Sequence, residues 1–211
     1  MTKILFVIPS AYNPKYVYKE YPLGVGYIAT LLKLNGHIVK IYDQNVEDKS
    51  YESLSGVINQ FSPNIIGFSV ITPNYPVAQN LIKFIKNHFP DILLIAGGIH
   101  ANLFPYDLLD DGIDLVILGE GEYTTMQLVN NLNSNRSFEL LSGVVFRAKG
   151  EYITIASQSR THYLDDLPIV DRTLYNLSLY ERHSMLASRG CVFRCRFCCN
   201  YTGTILAKGV L

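Results

Sequence analysis

The chain has 211 residues, of which 48% are hydrophobic and 17% are charged, and its formal net charge at pH 7 is zero. This composition allows a buried core, and the length suffices for one full domain plus part of another. A net charge of zero argues against a surface that binds nucleic acid or acidic membranes, so we expect neither as a partner. The first residues, MTKILFVIPS, are too short and too strand-like for a signal peptide, and no apolar run approaches the ~20 residues of a membrane span. We therefore expect a cytoplasmic protein.

Hydrophobic periodicity predicts strands that alternate with helices over the first 135 residues. The strands are short apolar runs, predicted at Lys3–Ile8, His37–Asp43, Ile65–Ser69, Ile92–Ala96 and Leu115–Leu118. The helices are predicted at Leu23–Asn35, Tyr51–Gln60 and Tyr75–His88, with a last one that ends near Leu132. Such alternation is typical of a parallel sheet covered on both faces. Five units predict an α/β fold with a five-stranded, flavodoxin-like doubly wound sheet of order 2-1-3-4-5.

The loops after four of these strands are rich in glycine and hydroxyl groups. They are Tyr21–Gly26, Ser69–Asn74, Gly97–Ala101 and Gly119–Glu122. In doubly wound sheets, ligands bind beyond the carboxyl ends of the strands, so we expect a small-molecule site at this rim. Structural explanations stay open for some of the residues: Gly97-Gly98 as a tight turn, Glu120 and Glu122 as charges at a helix amino end, and His100 as a solvated loop residue.

The region after residue 135 has a different pattern. Gly143–Arg147 and Tyr152–Ile155 flank Ala148-Lys149-Gly150-Glu151, which predicts a β-hairpin. Asp165–Leu174 is typical of an irregular strap between domains. We therefore predict three parts: an α/β domain at 1–135, a hairpin and connector at 136–183, and the start of another domain at 184–211.

All four cysteines lie within residues 191–199, so they cannot form a disulfide with a distant part of the chain. Cys191, Cys195 and Cys198 have the spacing C-x-x-x-C-x-x-C. Three thiolates on one loop can hold three irons of a 4Fe–4S cluster and leave the fourth iron free to chelate a substrate. A zinc site would need a fourth ligand. Cys199 could supply it only with difficulty, because adjacent cysteines rarely serve one tetrahedral ion.

The stretch SMLASRGCVFRCRFCCN, residues 184–200, resembles the start of the radical S-adenosylmethionine (SAM) domain. The spacing of the cysteines, the preceding Ser188-Arg189-Gly190 and the aromatic residue before the third cysteine all agree with that family. The resemblance implies that Cys191, Cys195 and Cys198 bind a 4Fe–4S cluster. It also implies that the amino and carboxylate groups of SAM bind the open iron and that Phe197 lies near the adenine.

The earlier segments YPLGVGYIATLLKLNGHIVKIYD, PNIIGFSVIT, IAGGIHA and DLVILGEGE resemble the cobalamin-binding domain that precedes many radical SAM domains. The later LDDLPIVDRTLY resembles the linker of that family. The resemblance implies that cobalamin contacts Gly24, Ser69, Thr72, Gly97, Gly98, Gly119, Glu120 and Gly121, with Glu122 closing the rim. Glycine suits such contacts because it has no Cβ to hold the ligand away. A bulky residue at Gly98 is therefore expected to block cobalamin uptake and to leave the fold intact.

The sequence departs from one motif of that family. Better-known cobalamin domains carry D-x-H-x-x-G, in which the histidine replaces the lower base on cobalt. Counting back from Gly24 places Lys19 at the aspartate position and Tyr21 at the histidine position. The resemblance thus implies base-off cobalamin without a histidine ligand.

Together these resemblances imply the amino-terminal part of a cobalamin-dependent radical SAM enzyme. Such an enzyme cleaves SAM at the cluster to a 5′-deoxyadenosyl radical and often methylates an unactivated carbon. The implied partners are a small-molecule substrate and an external electron donor such as a flavodoxin or ferredoxin. Two alternatives stay open: a non-methylating cyclase or rearrangement enzyme, and a cobalamin-binding module without activity of its own. No catalytic residue is assigned, and we expect residues 1–211 alone to be inactive.

Overall fold

The computed structural model describes residues 1–11, 13, 19–133, 141–156, 164–190 and 195–198. Its strands are β1 (Lys3–Ile8), β2 (Ile38–Asp43), β3 (Ile65–Ser69), β4 (Leu93–Gly97), β5 (Leu115–Ile117), β6 (Val144–Ala148) and β7 (Glu151–Ile155). Its α-helices are α1 (Leu23–Leu34), α2 (Tyr51–Phe61), α3 (Tyr75–His88), α4 (Ile99–Leu103), α5 (Pro105–Asp111) and α6 (Gly121–Asn133). No helix in these described ranges is long and apolar enough to cross a bilayer.

The strands form one mixed sheet of order β2-β1-β3-β4-β5-β6-β7. The first five strands are parallel and follow the predicted order, and the predicted hairpin is present as β6 and β7. The prediction of a five-stranded sheet is wrong, because β6 pairs antiparallel with β5 and extends the sheet to seven strands. This pairing covers backbone groups that β5 would otherwise expose at an edge. Hydrophobic periodicity indicates a hairpin but not the strand beside which it lies.

Side chains alternate along each strand, so the sheet separates two hydrophobic cores. Ile4, Phe6 and Ile8 of β1 face one core together with α1 and α6. Leu5 and Val7 face the other core together with α2, α3 and α5. Buried residues of β6 enter both cores. The candidate site described below lies on the α1 and α6 side.

The observed bounds of β3 and α3 are those that the hydrophobic pattern predicts, but the pattern predicts no helix between β4 and β5. The structure has two short helices there, α4 and α5. Helices of five and seven residues complete fewer than two turns of full 3.6-residue spacing, so their sequences show no clear period.

Residues 164–190, here called the strap, pack against α1 and the end of β2. Asp171 pairs with Lys33 at 2.6 Å, and this bond, together with two hydrogen bonds from Thr173, lowers the pKa of Asp171 to about 2. The Tyr175 hydroxyl donates to the Pro22 carbonyl at 2.9 Å, and the Tyr180 hydroxyl donates to Asp43 at 3.1 Å. Both tyrosine side chains are buried. The strap is thus joined to the sheet domain by packed aromatic rings and hydrogen bonds.

We expect Tyr180→Phe to destabilise the protein more at pH 7 than at pH 4. Burial raises the pKa of Asp43, and the Tyr180 hydroxyl bond opposes that shift. A carboxyl group whose pKa is raised by folding costs stability as pH rises through that raised value. Loss of the hydroxyl raises the pKa of Asp43 further. The free energy of unfolding at pH 7 should therefore fall by about 1.5–3 kcal/mol. Urea denaturation at both pH values measures the difference.

Tyr175→Phe is the matched control for this prediction. Its hydroxyl is also buried, but it donates to a backbone carbonyl and not to a carboxylate. Its effect on the free energy of unfolding should be the same at pH 4 and pH 7. Equal effects of Tyr180→Phe at the two pH values would contradict the role given to Asp43.

Candidate functional site

A cavity of about 470 Å³ lies at the carboxyl edge of the sheet, between the strands and the amino ends of α1 and α6. Its apolar wall includes Phe6, Ile95 and Ile117, which share one face of the sheet. Gly67 of β3 lies on the same face, and a Cβ there would come within 2.8 Å of the Phe6 ring. The volume is within the range of small-molecule sites.

Seven of the predicted rim residues line this cavity: Gly24, Ser69, Gly97, Gly98, Gly119, Glu120 and Gly121. They come from four separate loops, which the parallel sheet brings to one edge. Glu122 also lines the cavity. The structure thus places the glycine-rich loops together, as expected from the predicted strand order.

Thr72 and His100 lie away from the cavity wall. Thr72 is exposed on a short 3-10 turn, and its hydroxyl is 3.2 Å from His100 Nδ1. The His100 ring is 4% exposed and stacks on Tyr75 with ring centroids 4.1 Å apart. Burial lowers the pKa of His100. The interpretation of His100 as a solvated loop residue is therefore wrong.

Gly98 serves both as a tight turn and as part of the cavity wall. Its φ angle is +104°, and a Cβ there would come within 2.6 Å of the Val70 carbonyl oxygen. The expectation that a bulky residue at Gly98 leaves the fold intact is wrong, because its side chain would clash with the backbone of Val70. Gly24 differs, since a Cβ at that position would meet nothing within 4 Å.

Asn102 on α4 connects two of the glycine loops and was missed by the sequence analysis. Its Oδ1 accepts from the Gly119 amide at 2.6 Å, and its Nδ2 donates to the Gly98 carbonyl at 2.8 Å. Two loops of the cavity are therefore held by one side chain. A single asparagine in an unpredicted helix has no pattern that would have revealed this role.

Arg189 of the strap forms ion pairs with both rim glutamates. Its Nη2 lies 2.6 Å from Glu122 Oε1, and its Nη1 lies 3.6 Å from Glu120 Oε1. Its guanidinium also lies over the Tyr27 ring, 5.0 Å from the centroid. The Arg189 side chain is 14% exposed, so these charges are largely shielded from water. From the sequence, the two glutamates are predicted only at the rim or at the helix end. The sequence predicts no ion pair for Arg189.

Tyr21, at the position of the family's histidine, does not line the cavity. Its side chain is buried against Tyr175 and Tyr180, and its hydroxyl donates to the Ser184 carbonyl. Among the described residues, the cavity wall includes no histidine. Tyr21 thus helps to attach the strap and has no free hydroxyl aimed at the cavity.

Two of the three motif cysteines are described. Cys195 is exposed, Cys198 is partly exposed, and the Cys198 amide donates to the Cys195 carbonyl at 3.0 Å. The Phe197 side chain is 93% exposed. Cys191 lies outside the described residues, so the three-cysteine ligand set stays a prediction.

Comparison with protein families matches residues 9–129 to the B12 binding domain. The chain belongs to this family. The match covers all four glycine-rich loops. It agrees with the cobalamin-binding resemblance drawn from those loops.

Relatives of this B12-binding domain include proteins named as methyltransferases, as cyclases and as a cobalamin-dependent radical SAM methyltransferase. An uncharacterized methyltransferase of Pyrococcus horikoshii is 29% identical in an alignment of 206 positions that covers 93% of this chain and 45% of that protein. The anaerobic magnesium-protoporphyrin IX monomethyl ester cyclase of Rubrivivax gelatinosus is 27% identical and matches 84% of this chain and 34% of that protein. The chain therefore spans less than half the length of these relatives.

Solved structures support the fold. The cobalamin-dependent SAM radical enzyme OxsB, with aqua-cobalamin and SAM bound, superposes with a TM-score of 0.81 at 19% identity. The match covers 94% of this chain and 28% of that chain. The likeness shows that the chain has the fold of this region of OxsB, an α/β sheet domain, in agreement with the match to the B12 binding domain.

Proposed function

We propose that the chain is the amino-terminal, cofactor-binding part of a cobalamin-dependent radical SAM enzyme that methylates an unactivated carbon. One observation carries the proposal: the strap reaches the cavity wall immediately before the cysteine motif. Ser188, Arg189 and Gly190 line the cavity, and Cys191 follows Gly190. The residues just before the cysteine motif thus lie at the wall of the candidate cobalamin cavity, which supports a cluster near that cavity.

The residues of the cavity fit part of a cobalamin molecule. The wall is apolar toward the sheet, and its rim is formed by glycines, which expose backbone amide and carbonyl groups without a covering side chain. Gly24, Ser69, Gly97, Gly98 and Gly119 would hold the cofactor, and Thr72 falls outside this set. When bound, cobalamin supplies a methyl group that can be transferred to carbon. The chain's own residues bind and orient it and exclude water from the apolar wall.

The proposed cluster ligands are the thiolates of Cys191, Cys195 and Cys198. A three-cysteine set leaves one iron open, and that iron would bind the amino and carboxylate groups of SAM. Phe197 is the proposed adenine contact, and its exposed ring leaves room for SAM and for a following domain. The proposed partners are an external electron donor, such as a flavodoxin or ferredoxin, and a small-molecule substrate.

We expect Cys195→Ala in the full-length protein to abolish iron binding and SAM cleavage together. Iron per protein chain is measured after anaerobic reconstitution with iron and sulfide, and 5′-deoxyadenosine is measured after reduction. Broad iron–sulfur absorbance should disappear from the variant, whereas resolved corrin bands should persist after cobalamin is added.

Cys199→Ala is the control for this experiment, because Cys199 lies outside the spacing of the motif. It should retain the parent's iron content and SAM cleavage. Stoichiometric iron in Cys195→Ala would contradict the cluster assignment. Loss of iron in Cys199→Ala would instead favour a four-thiolate site.

We also expect cobalamin bound to this protein to have no histidine on cobalt. Tyr21 replaces the ligand histidine and is buried under the strap, and His100 is buried beside Tyr75. Electron paramagnetic resonance of the Co(II) form tests this, because an axial nitrogen splits each cobalt line in three and an axial oxygen does not. Triplet splitting would mean that a histidine or the cofactor's own base is coordinated.

A second candidate function is cyclisation or rearrangement without methylation. The match to the magnesium-protoporphyrin cyclase favours it. The two functions differ in the fate of the SAM methyl group. Isotope-labelled methyl recovered in the product supports methylation, and its absence from a changed product supports the second candidate.

A further inference from the structure

Arg189 is the last anchored side chain of the strap before the cysteine motif. Upstream, Ser184 is held by hydrogen bonds to Glu20 and Tyr21. Residues 185–188 are exposed, with Met185 at 77%. The Arg189 side chain is then largely covered, with 14% exposure. The contacts of Arg189 therefore fix the position of the backbone two residues before Cys191.

Arg189 connects the two helices that border the cavity. Its guanidinium pairs with Glu122 in the first turn of α6 and with Glu120 just before that helix. The same group lies over Tyr27 of α1. A planar guanidinium suits such a position because it offers several donors in a fixed geometry while its face contacts an aromatic ring.

The loop that holds Arg189 is also part of the cavity wall. Gly119, Glu120, Gly121 and Glu122 all line the cavity, as does Arg189 itself. A molecule in the cavity would therefore contact the segment that carries both carboxylates. If a bound molecule limits the motion of this loop, the two ion pairs limit the motion of Arg189 as well.

We propose that Arg189 is a positioning residue that couples occupation of the cavity to the placement of the cysteine loop. The proposal rests on the proposed function, since it takes cobalamin as the ligand of the cavity and SAM as the ligand of the cluster. Cobalamin in the cavity holds the loop from Gly119 to Glu122. Glu120 and Glu122 then hold Arg189, and Arg189 holds the start of the motif. Binding of cobalamin and binding of SAM must consequently favour each other by the same factor.

The test measures the dissociation constant of SAM with and without hydroxocobalamin, using full-length protein that carries a reconstituted cluster. For the parent we expect cobalamin to tighten SAM binding at least about 5-fold. The ratio of the SAM dissociation constant without hydroxocobalamin to that with it should fall to about one in Arg189→Met. The reason is that the thioether cannot pair with the carboxylates. Arg189→Lys keeps the charge without the planar fork and should restore part of the ratio. Glu122→Gln, which removes the carboxylate with little change of shape, should also reduce the ratio and serves if Arg189→Met does not fold.

Arg147→Met is the matched control. Arg147 also pairs with a carboxylate, that of Asp110, but it lies on β6 away from the cavity. In Arg147→Met, hydroxocobalamin should tighten SAM binding by the same factor as in the parent. Hydrogen exchange gives a second readout: hydroxocobalamin should slow exchange in residues 181–190 of the parent and of Arg147→Met, and should not slow it in Arg189→Met.

Each other outcome decides against the coupling. A parent ratio of one, or an unchanged ratio in Arg189→Met, overturns it. Loss of cobalamin binding in Arg189→Met with normal SAM affinity also overturns it, because Arg189 would then belong to the cobalamin site itself. Failure of the proposed function has a different signature, since the parent would then bind no cobalamin or no SAM.

Discussion

Leu94→Asp is expected to unfold the protein. Leu94 is the second residue of β4 and has 0% exposure, and it packs in the core formed with α2, α3 and α5. Removal of the leucine side chain alone should cost about 2–5 kcal/mol. The unpaired carboxylate adds several kcal/mol, so the total is comparable to the ~5–15 kcal/mol that stabilise a typical domain. Thermal and urea denaturation followed by circular dichroism measure the effect.

Ile169→Asp is the control for this substitution. It introduces the same carboxylate on the strap, where the Ile169 side chain is 91% exposed. Its effect on the free energy of unfolding should stay within about 0.5 kcal/mol. A cooperative transition of Leu94→Asp near the temperature of the parent would show that β4 is not central to the fold.

Gly24→Leu is expected to weaken cobalamin binding at least about 100-fold without loss of stability. A Cβ at Gly24 meets nothing within 4 Å, so the new side chain has room to extend at the cavity wall without strain. Leucine also favours the helix over glycine by up to about 1 kcal/mol. The melting temperature should therefore stay constant or rise, while the isobutyl group takes the space of the ligand. Absorbance titration with hydroxocobalamin measures the affinity.

Gly56→Leu in α2 is the matched control. Gly56 is also an exposed helical glycine whose Cβ would meet nothing within 4 Å, but α2 lies on the other face of the sheet. It should change stability as Gly24→Leu does and leave cobalamin affinity unchanged. Parental cobalamin affinity in both variants would separate Gly24 from the cofactor site. Equal losses of affinity would mean that helix propensity, and not the space at the cavity, is responsible.

Local pattern was sufficient for much of the fold and for the place of the site. Ile65–Ser69 and Tyr75–His88 show clear periods, so their type and bounds follow from the sequence. Alternation of strands and helices predicts a parallel sheet, and the carboxyl ends of parallel strands meet at one edge. For this reason Gly24, Ser69 and Gly97 could be assigned to one rim before any contact was known. The cysteine spacing likewise points to a chemistry without reference to a fold.

Only the tertiary structure shows the contacts that join segments distant in the chain. The addition of β6 to β5 depends on an open sheet edge, which no local period records. The need for glycine at position 98 comes from the Val70 carbonyl that faces it. The two hydrogen bonds of Asn102 require two loops that the sheet brings together. Arg189 meets Glu122 across 67 residues of sequence. The Arg189 pair forms because the strap packs on α1, and that packing rests on aromatic and polar contacts that carry no repeating signal in the sequence.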